Sequence, residues 1–300
     1  MDKTAMVQKA REMVAEVDEL PTIPVVAMKV LELLEKPDVE LDEVVDLILT
    51  DQVMAARVIK IVNSPLYRAA HEISSVKQAL IYLGFRHVRE LALTCSFIEA
   101  FKDKDGAFDV QTFWEHSFGV GIVAKLIAQR ARYHDIEKAY LVGIIHDIGE
   151  VFLSYYHQDE FMKIVASKQG EPCKFYTLEE EYFGTTHCEV GLCIAEKWNF
   201  PKEYREIISL HHTPLEATID PPLNAIVNLA DLFCTVRQLD YGGREWISFN
   251  LAEEKAWEIL KNYAPHLGGL DVERFCYELD DRVEEIQELV RSIFAGITEE

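Results

Sequence analysis

LVGIIHDIGE, residues 141–150, is an apolar run that abruptly places His146 beside Asp147. Burying an ionised carboxylate in apolar surroundings costs on the order of several kcal/mol unless it is paired or holds a metal. An Asp here therefore needs a cation. Its neighbour points to a metal, because neutral imidazole and carboxylate are natural ligands of divalent ions. In an all-helical protein, such sites are built from His and carboxylate groups that helices project into a bundle.

Four other segments supply groups of the same kind. His116 lies in FWEHSFGVGIVAKLI and His187 in EEEYFGTTHCEVGLCIAEKW. His211 and His212 sit together in IISLHHTPLE, and Asp231 lies in LNAIVNLADLFCTV. Each segment has an apolar face. Taken singly, each of these residues is more often a hydrogen-bonded core or surface residue than a ligand. Five His and two Asp in low-polarity segments are harder to explain that way. His71, His87, His134, His157 and His266 sit among polar neighbours or in loops and read as ordinary residues.

Composition bounds the rest. At 300 residues and 49% hydrophobic content, the chain can bury one large core or two smaller ones. No apolar stretch approaches the roughly 20 residues that span a bilayer. The charged amphipathic N-terminus does not resemble a signal peptide, so a cytoplasmic protein with no membrane association is expected. Thirty Lys and Arg against 52 Asp and Glu give a net charge of −22. That disfavours nucleic acid, whose binding needs phosphates neutralised by basic side chains. It leaves room for a small phosphorylated ligand or nucleotide, whose binding follows the local field of one site. Cys95, Cys173, Cys188, Cys193, Cys234 and Cys276 form no CxxC pair and read as buried free thiols.

Apolar residues recur mostly at helical spacing, and strand signals are weak throughout. The expectation is an all-α bundle of many short helices in three parts, 1–105, 106–240 and 241–300. In the first part, Thr22 caps and Pro24 opens a helix that turns Val25, Met28, Leu31 and Leu34 inward. Ser75 caps the helix that Gly84 ends. The second part carries the His-rich region, with helices near 111–132, 136–156, 158–168, 177–183, 187–197, 202–211 and 222–237. Residues 250–264 and 271–296 read as two further helices.

The seven groups carry a formal charge of −2 with neutral imidazoles, and two divalent cations would make it +2. Two metals about 3.5–4 Å apart can share a carboxylate and a water and clamp a phosphoryl group. Asp147, central in its motif, is the expected bridge. His116, His146, His187, His211, His212 and Asp231 are the expected terminal ligands, and His146 and Asp147 the expected catalytic groups. The ligand mix fits Fe, Mn, Zn or Ni.

HDIG at 146–149, with His116 upstream and Asp231 downstream, resembles the HD superfamily of metal-dependent phosphohydrolases. His187 with Gly191, and the pair His211–His212, are similar to the HD-GYP branch of cyclic-dinucleotide phosphodiesterases. LPTIP at 20–24, TDQVMAARVIKIVNSPLY at 50–67, ISS at 73–75 and YLG at 82–84 resemble the HDOD domain of bacterial signalling proteins. The resemblance covers roughly residues 17–237. It implies an HD-like helical fold, a metal centre and a place in signal transduction. It also shows departures. Glu150 stands where HD-GYP enzymes usually carry a Lys. Thr112 stands where some trinuclear relatives carry a Glu ligand, and no GYP segment follows the HH pair.

Two functions follow as expectations. One is a metal-dependent hydrolase of a phosphomonoester or phosphodiester. The other is a non-catalytic output or scaffold module with a structural or sensory metal, which presents a surface around Asn63–Tyr67 to a signalling protein. The bland reading of that stretch is a turn. An oxygen-dependent di-iron oxidase is compatible with the ligand set, but nothing in the sequence selects it.

Overall fold

The computed structural model describes residues 2–17, 29, 40–64, 67, 69, 71–84, 87–88, 91–92, 94–95, 110–167, 175–237, 239 and 250–294. These residues form helices and turns with no strand among them, the all-α fold expected. Helix α1 spans Lys3–Glu16, α2 Leu41–Leu49, α3 Gln52–Val62 and α4 Val76–Leu83. Next come α5 Val110–Ala131, α6 Ile136–Ile145, α7 Ile148–Tyr156 and α8 Gln158–Ser167. Then follow α9 Phe175–Phe183, α10 His187–Lys197, α11 Lys202–Leu210 and α12 Pro221–Val236. Helices α13 Lys255–Tyr263 and α14 Val272–Phe294 complete the series. Thr22, Pro24, Val25, Met28, Leu31, Leu34 and Cys173 lie outside the described residues, as does most of 86–101.

Contacts divide the chain into two units. One takes residues 1–20 and 103–280, the other 21–102 and 281–300. The sequence placed α1 with the segment that follows it. Instead α1 packs on α10, because Met6, Ala10, Met13 and Val14 make a buried stripe along one of its faces.

In the larger unit α5 packs along α6 and α12, α10 packs between α7 and α11, and α12 also carries α13. The α5–α6 crossing is close because it is made of glycine. A side-chain carbon on Gly143 would stand 2.8 Å from the Gly121 Cα, and one on Gly121 would stand 2.9 Å from the Tyr140 carbonyl oxygen. That contact sets the distance between His116, just before Gly121, and His146, just after Gly143.

In the smaller unit α2, α3 and α4 pack on one another. Ser75 accepts from the Gln78 N–H, and Gly84 ends α4 at φ +82°, both as the sequence suggests. Asn63 closes the loop after α3. Its Nδ2 donates to the carbonyls of Ile59 and Ile73, and its Oδ1 accepts from the Ile73 N–H. Its polar atoms therefore hold a turn.

Candidate metal centre

The sequence reads as one helix over 136–156. The structure breaks it at His146–Asp147, where the Asp147 backbone takes φ −98° and ψ 24°. Helix α6 ends at Ile145, and His146 stays against it through a hydrogen bond from Nδ1 to the Gly143 carbonyl, 2.7 Å. Helix α7 then restarts at Ile148. A side-chain carbon on Gly149 would stand 1.9 Å from the His187 carbonyl oxygen and 2.6 Å from the Gly191 nitrogen. Two bare backbones meeting there bring the first turn of α10 onto Asp147.

Where α10 begins is set by its cap. Thr186 and Glu189 form a reciprocal capping box, which puts His187 at the first helical position. His187 is then held by Glu179, a fully buried carboxylate from α9. Glu179 Oε2 accepts from the His187 backbone N–H at 2.9 Å and from Nδ1 at 2.7 Å. His211 follows the end of α11 as His146 follows α6, with Nδ1 bonded to the carbonyl three residues back, Ile208, at 3.0 Å. Its own carbonyl accepts from Asn228 Nδ2 on α12, 2.7 Å. One turn further along α12 is Asp231. On α5, His116 Nδ1 bonds to the Leu239 carbonyl at 2.6 Å.

Four imidazoles are thus held by Nδ1, which leaves Nε2 as the inward atom in each. A neutral imidazole with Nδ1–H donated elsewhere presents a lone pair at Nε2. These atoms surround Asp147. His146 and His116 Nε2 lie 3.2 and 3.5 Å from Asp147 Oδ2. His211 and His187 Nε2 lie 3.3 and 3.5 Å from Oδ1. Asp231 Oδ1 is 3.4 Å from His116 Nε2, and its Oδ2 is 3.6 Å from His212 Nδ1. All seven residues singled out in the sequence therefore converge, and all lie in the larger unit. Asp147 stands among them, Oδ2 toward His116 and His146 and Oδ1 toward His187 and His211, while His212 reaches Asp231 through Nδ1 and His187 through Nε2.

The donor set fits metal. Nitrogens sharing one ion at about 2.0–2.1 Å stand roughly 3–3.4 Å apart. His187 Nε2 is 3.3 Å from His211 Nε2 and 3.1 Å from His212 Nε2. His146 Nε2 is buried and lacks the alignment of a hydrogen bond even though Asp147 is near. Atoms aimed at a common point, rather than at one another, produce both features. The field also suits a cation. Burial pushes Asp147 and Asp231 up, yet the surrounding imidazoles outweigh it and hold both below the usual carboxylate range. Burial pulls His116 down, but Asp147 and Asp231 raise it well above its ordinary value. Burial and His211 together keep His212 low. His212 alone among the five is partly exposed, at 25% of its side chain, so the centre opens to solvent there.

Glu179 and Cys188 carry no ligand signal in the sequence, because Glu179 is one of three consecutive Glu and Cys188 reads as a core thiol. The capping pattern at 186–189 is the one local clue to the placement of His187. Cys95, Cys188, Cys193 and Cys234 are buried free thiols, as expected. His71, His87, His134, His157 and His266 enter none of the metal-capable groups among the described residues. His266 Nε2 instead bonds to the Arg130 carbonyl. Among the described residues no helix is long and apolar enough to cross a membrane.

Comparison with known proteins bears on the family and the fold. The HDOD domain model matches residues 20–214. A crystal structure of an HDOD domain protein of unknown function from Geobacter sulfurreducens is 37% identical, covers 98% of this chain and 99% of its own, and has a TM-score of 0.87. A candidate phosphohydrolase from Shewanella amazonensis is 23% identical over 94% of this chain and 97% of its own, with a TM-score of 0.72. A candidate metal-dependent phosphohydrolase from the same organism is 18% identical over 96% and 98%, with a TM-score of 0.63. An uncharacterised protein of Treponema pallidum is 23% identical over 240 residues, and the chain spans about half of its length, 46%.

Proposed function

This chain belongs to the HDOD family, and from that membership and the geometry of the cluster we propose that it holds two divalent transition-metal ions on a bridging Asp147 and hydrolyses a phosphate ester there. One observation carries the reading: Asp147 Oδ2 faces His116 and His146 while Oδ1 faces His187 and His211. His116, His146 and Asp231 would hold one ion. His187, His211 and His212 would hold the other.

Such a pair, when bound, supplies Lewis acidity that acidifies a water and neutralises charge on a phosphoryl group. The remaining tasks fall to the chain. Buried Nδ1 contacts fix the four ring orientations before any ligand arrives. Asp147 keeps the two sides of the centre at one spacing. Ile148, Phe152 and Val190 line the surrounding helices with buried apolar groups, which keeps the local dielectric low. Substrate enters past His212, beside which Tyr176 lies with ring centroids 4.9 Å apart. The filled centre, at formal charge +2, attracts a small phosphorylated ligand or nucleotide even though the chain as a whole is acidic. The descriptions of the Shewanella proteins agree with this chemistry.

Elemental mass spectrometry of untagged protein, paired with a screen of model phosphodiesters and nucleotides, tests the reading. About two Fe, Mn, Zn or Ni per chain and ester turnover are expected, both lost in Asp147→Ala. Wild-type protein that takes up no transition metal would overturn it.

One observation favours a second reading, a regulatory output module without turnover. Glu150 is 3% exposed in the first turn after Asp147, at the position where HD-GYP enzymes usually carry a Lys, so that position offers no cation for a phosphate. A centre that holds metal, turns over no ester and retains a signalling protein on pull-down would establish that reading instead.

A further inference from the structure

Cys188 follows His187 in the first turn of α10 and is 7% exposed. A buried thiol usually packs as a small hydrophobe among apolar side chains. The surroundings of Cys188 differ. Its Sγ and one ring nitrogen from each of His187, His211 and His212 all lie within 4.8 Å of one another. The backbone that carries this thiol is fixed, because the Cys188 N–H donates to Thr186 Oγ1 at 3.2 Å within the cap of the turn.

The structure assigns Cys188 as a further protein donor to the His187–His211–His212 half of the centre, beside those three imidazoles and the shared Asp147. That half is then a mixed imidazole–thiolate site. Its ligand class is a thiophilic divalent ion such as Zn²⁺, Fe²⁺ or Co²⁺, since hard ions such as Mg²⁺ select oxygen donors. Neither of the other groups, His116–His146–Asp231 and the bridging set His146–Asp147–His211, holds sulfur. The two halves therefore differ in softness and prefer different metals. On binding, the S–H bond breaks, its proton leaves to solvent and the sulfur lone pair forms the bond to the ion. No electron is transferred and no oxidant is consumed. The inference rests on the metal reading above and adds to it a reason for metal choice.

The test uses the full-length untagged chain loaded with Co²⁺. Visible d–d bands report that cobalt is bound, and a near-ultraviolet thiolate-to-cobalt charge-transfer band reports sulfur in its coordination. Wild type and Cys193→Ser, a control on the same helix, are expected to show both. Cys188→Ser is expected to keep the d–d bands and lose the charge-transfer band, with its helical circular dichroism unchanged. Wild type with d–d bands and no charge-transfer band overturns the assignment of Cys188 and leaves the metal centre standing. Absence of all cobalt bands overturns the metal reading itself. Should Cys188→Ser fail to fold, zinc-edge X-ray absorption of the wild-type chain decides the matter. A sulfur scatterer near about 2.3 Å supports the assignment, and nitrogen and oxygen alone sink it.

Discussion

Gly149 lies against His187 so closely that a side-chain carbon on Gly149 would stand 1.9 Å from the His187 carbonyl oxygen. The candidate metal centre depends on this contact, because it carries His187 on α10 to the α7 end of the cluster. Gly149→Ala is expected to destabilise the fold by about 1–3 kcal/mol, the usual range for overpacking, and at the upper end because the obstacle is backbone. Gly191→Ala should cost less, since its new carbon meets chiefly the Ile208 side chain, which can turn away. Denaturant midpoints and metal content measured on both variants check this order. Equal midpoints for Gly149→Ala and wild type would refute the role of the contact.

The sequence shows the centre where polarity conflicts with its surroundings. His116, Asp147, His187, His211 and Asp231 are visible because each interrupts an apolar segment. The all-α class is visible for a similar reason, since helical spacing recurs through most of the chain. The break between α6 and α7 is hidden, because apolar residues continue across it and only the backbone of Asp147 departs. The place of α1 is hidden too: its stripe shows that it packs on something, but a stripe does not name its partner. Glu179 cannot be told from Glu180 and Glu181 until the fold shows which of them is fully buried.

Glu179 should govern metal affinity through His187. Its carboxylate takes both the Nδ1 and the backbone N–H of that residue. Removing a carboxylate that orients a ligating imidazole costs about 10–100-fold in metal affinity. Glu179→Ala is expected in that range, and Glu179→Gln nearer the low end because it keeps an acceptor. Competition titration with a zinc indicator measures both. Wild-type affinity in the two variants would show that the contact has no part in metal binding.

The division around Asp147 predicts unequal losses. His116→Ala should reduce bound metal from about two ions to about one, and His211→Ala should do the same by emptying the other side. Asp147→Ala should remove both. Elemental analysis of the three variants, each checked for helical content, reads this directly. Complete loss in His116→Ala alone would mean that the two sides do not fill independently.

Glu206 closes the loop between the His211–His212 pair and α12, and it gives a pH prediction away from the ligands. Its Oε1 accepts from the Thr218 N–H at 2.7 Å and from the Ile219 N–H at 2.9 Å, and Oε2 accepts from the Asp220 N–H at 3.0 Å. Burial pushes this carboxyl up, but the backbone donors of Thr218, Asp220 and Ile219 outweigh it and hold it below the ordinary Glu value. A depressed carboxyl stabilises the fold fully above the unfolded value, about 4.3, and loses that contribution as pH falls through the folded value. Glu206→Gln should therefore cost about 1.5–3 kcal/mol near neutrality, the range for hydrogen bonds to a charged group. The gap to wild type should narrow as pH drops below about 4.3. Thermal unfolding of both proteins from pH 7 down to pH 3 checks it. A gap that stays constant across that range would mean that the Glu206 charge contributes nothing to holding the loop.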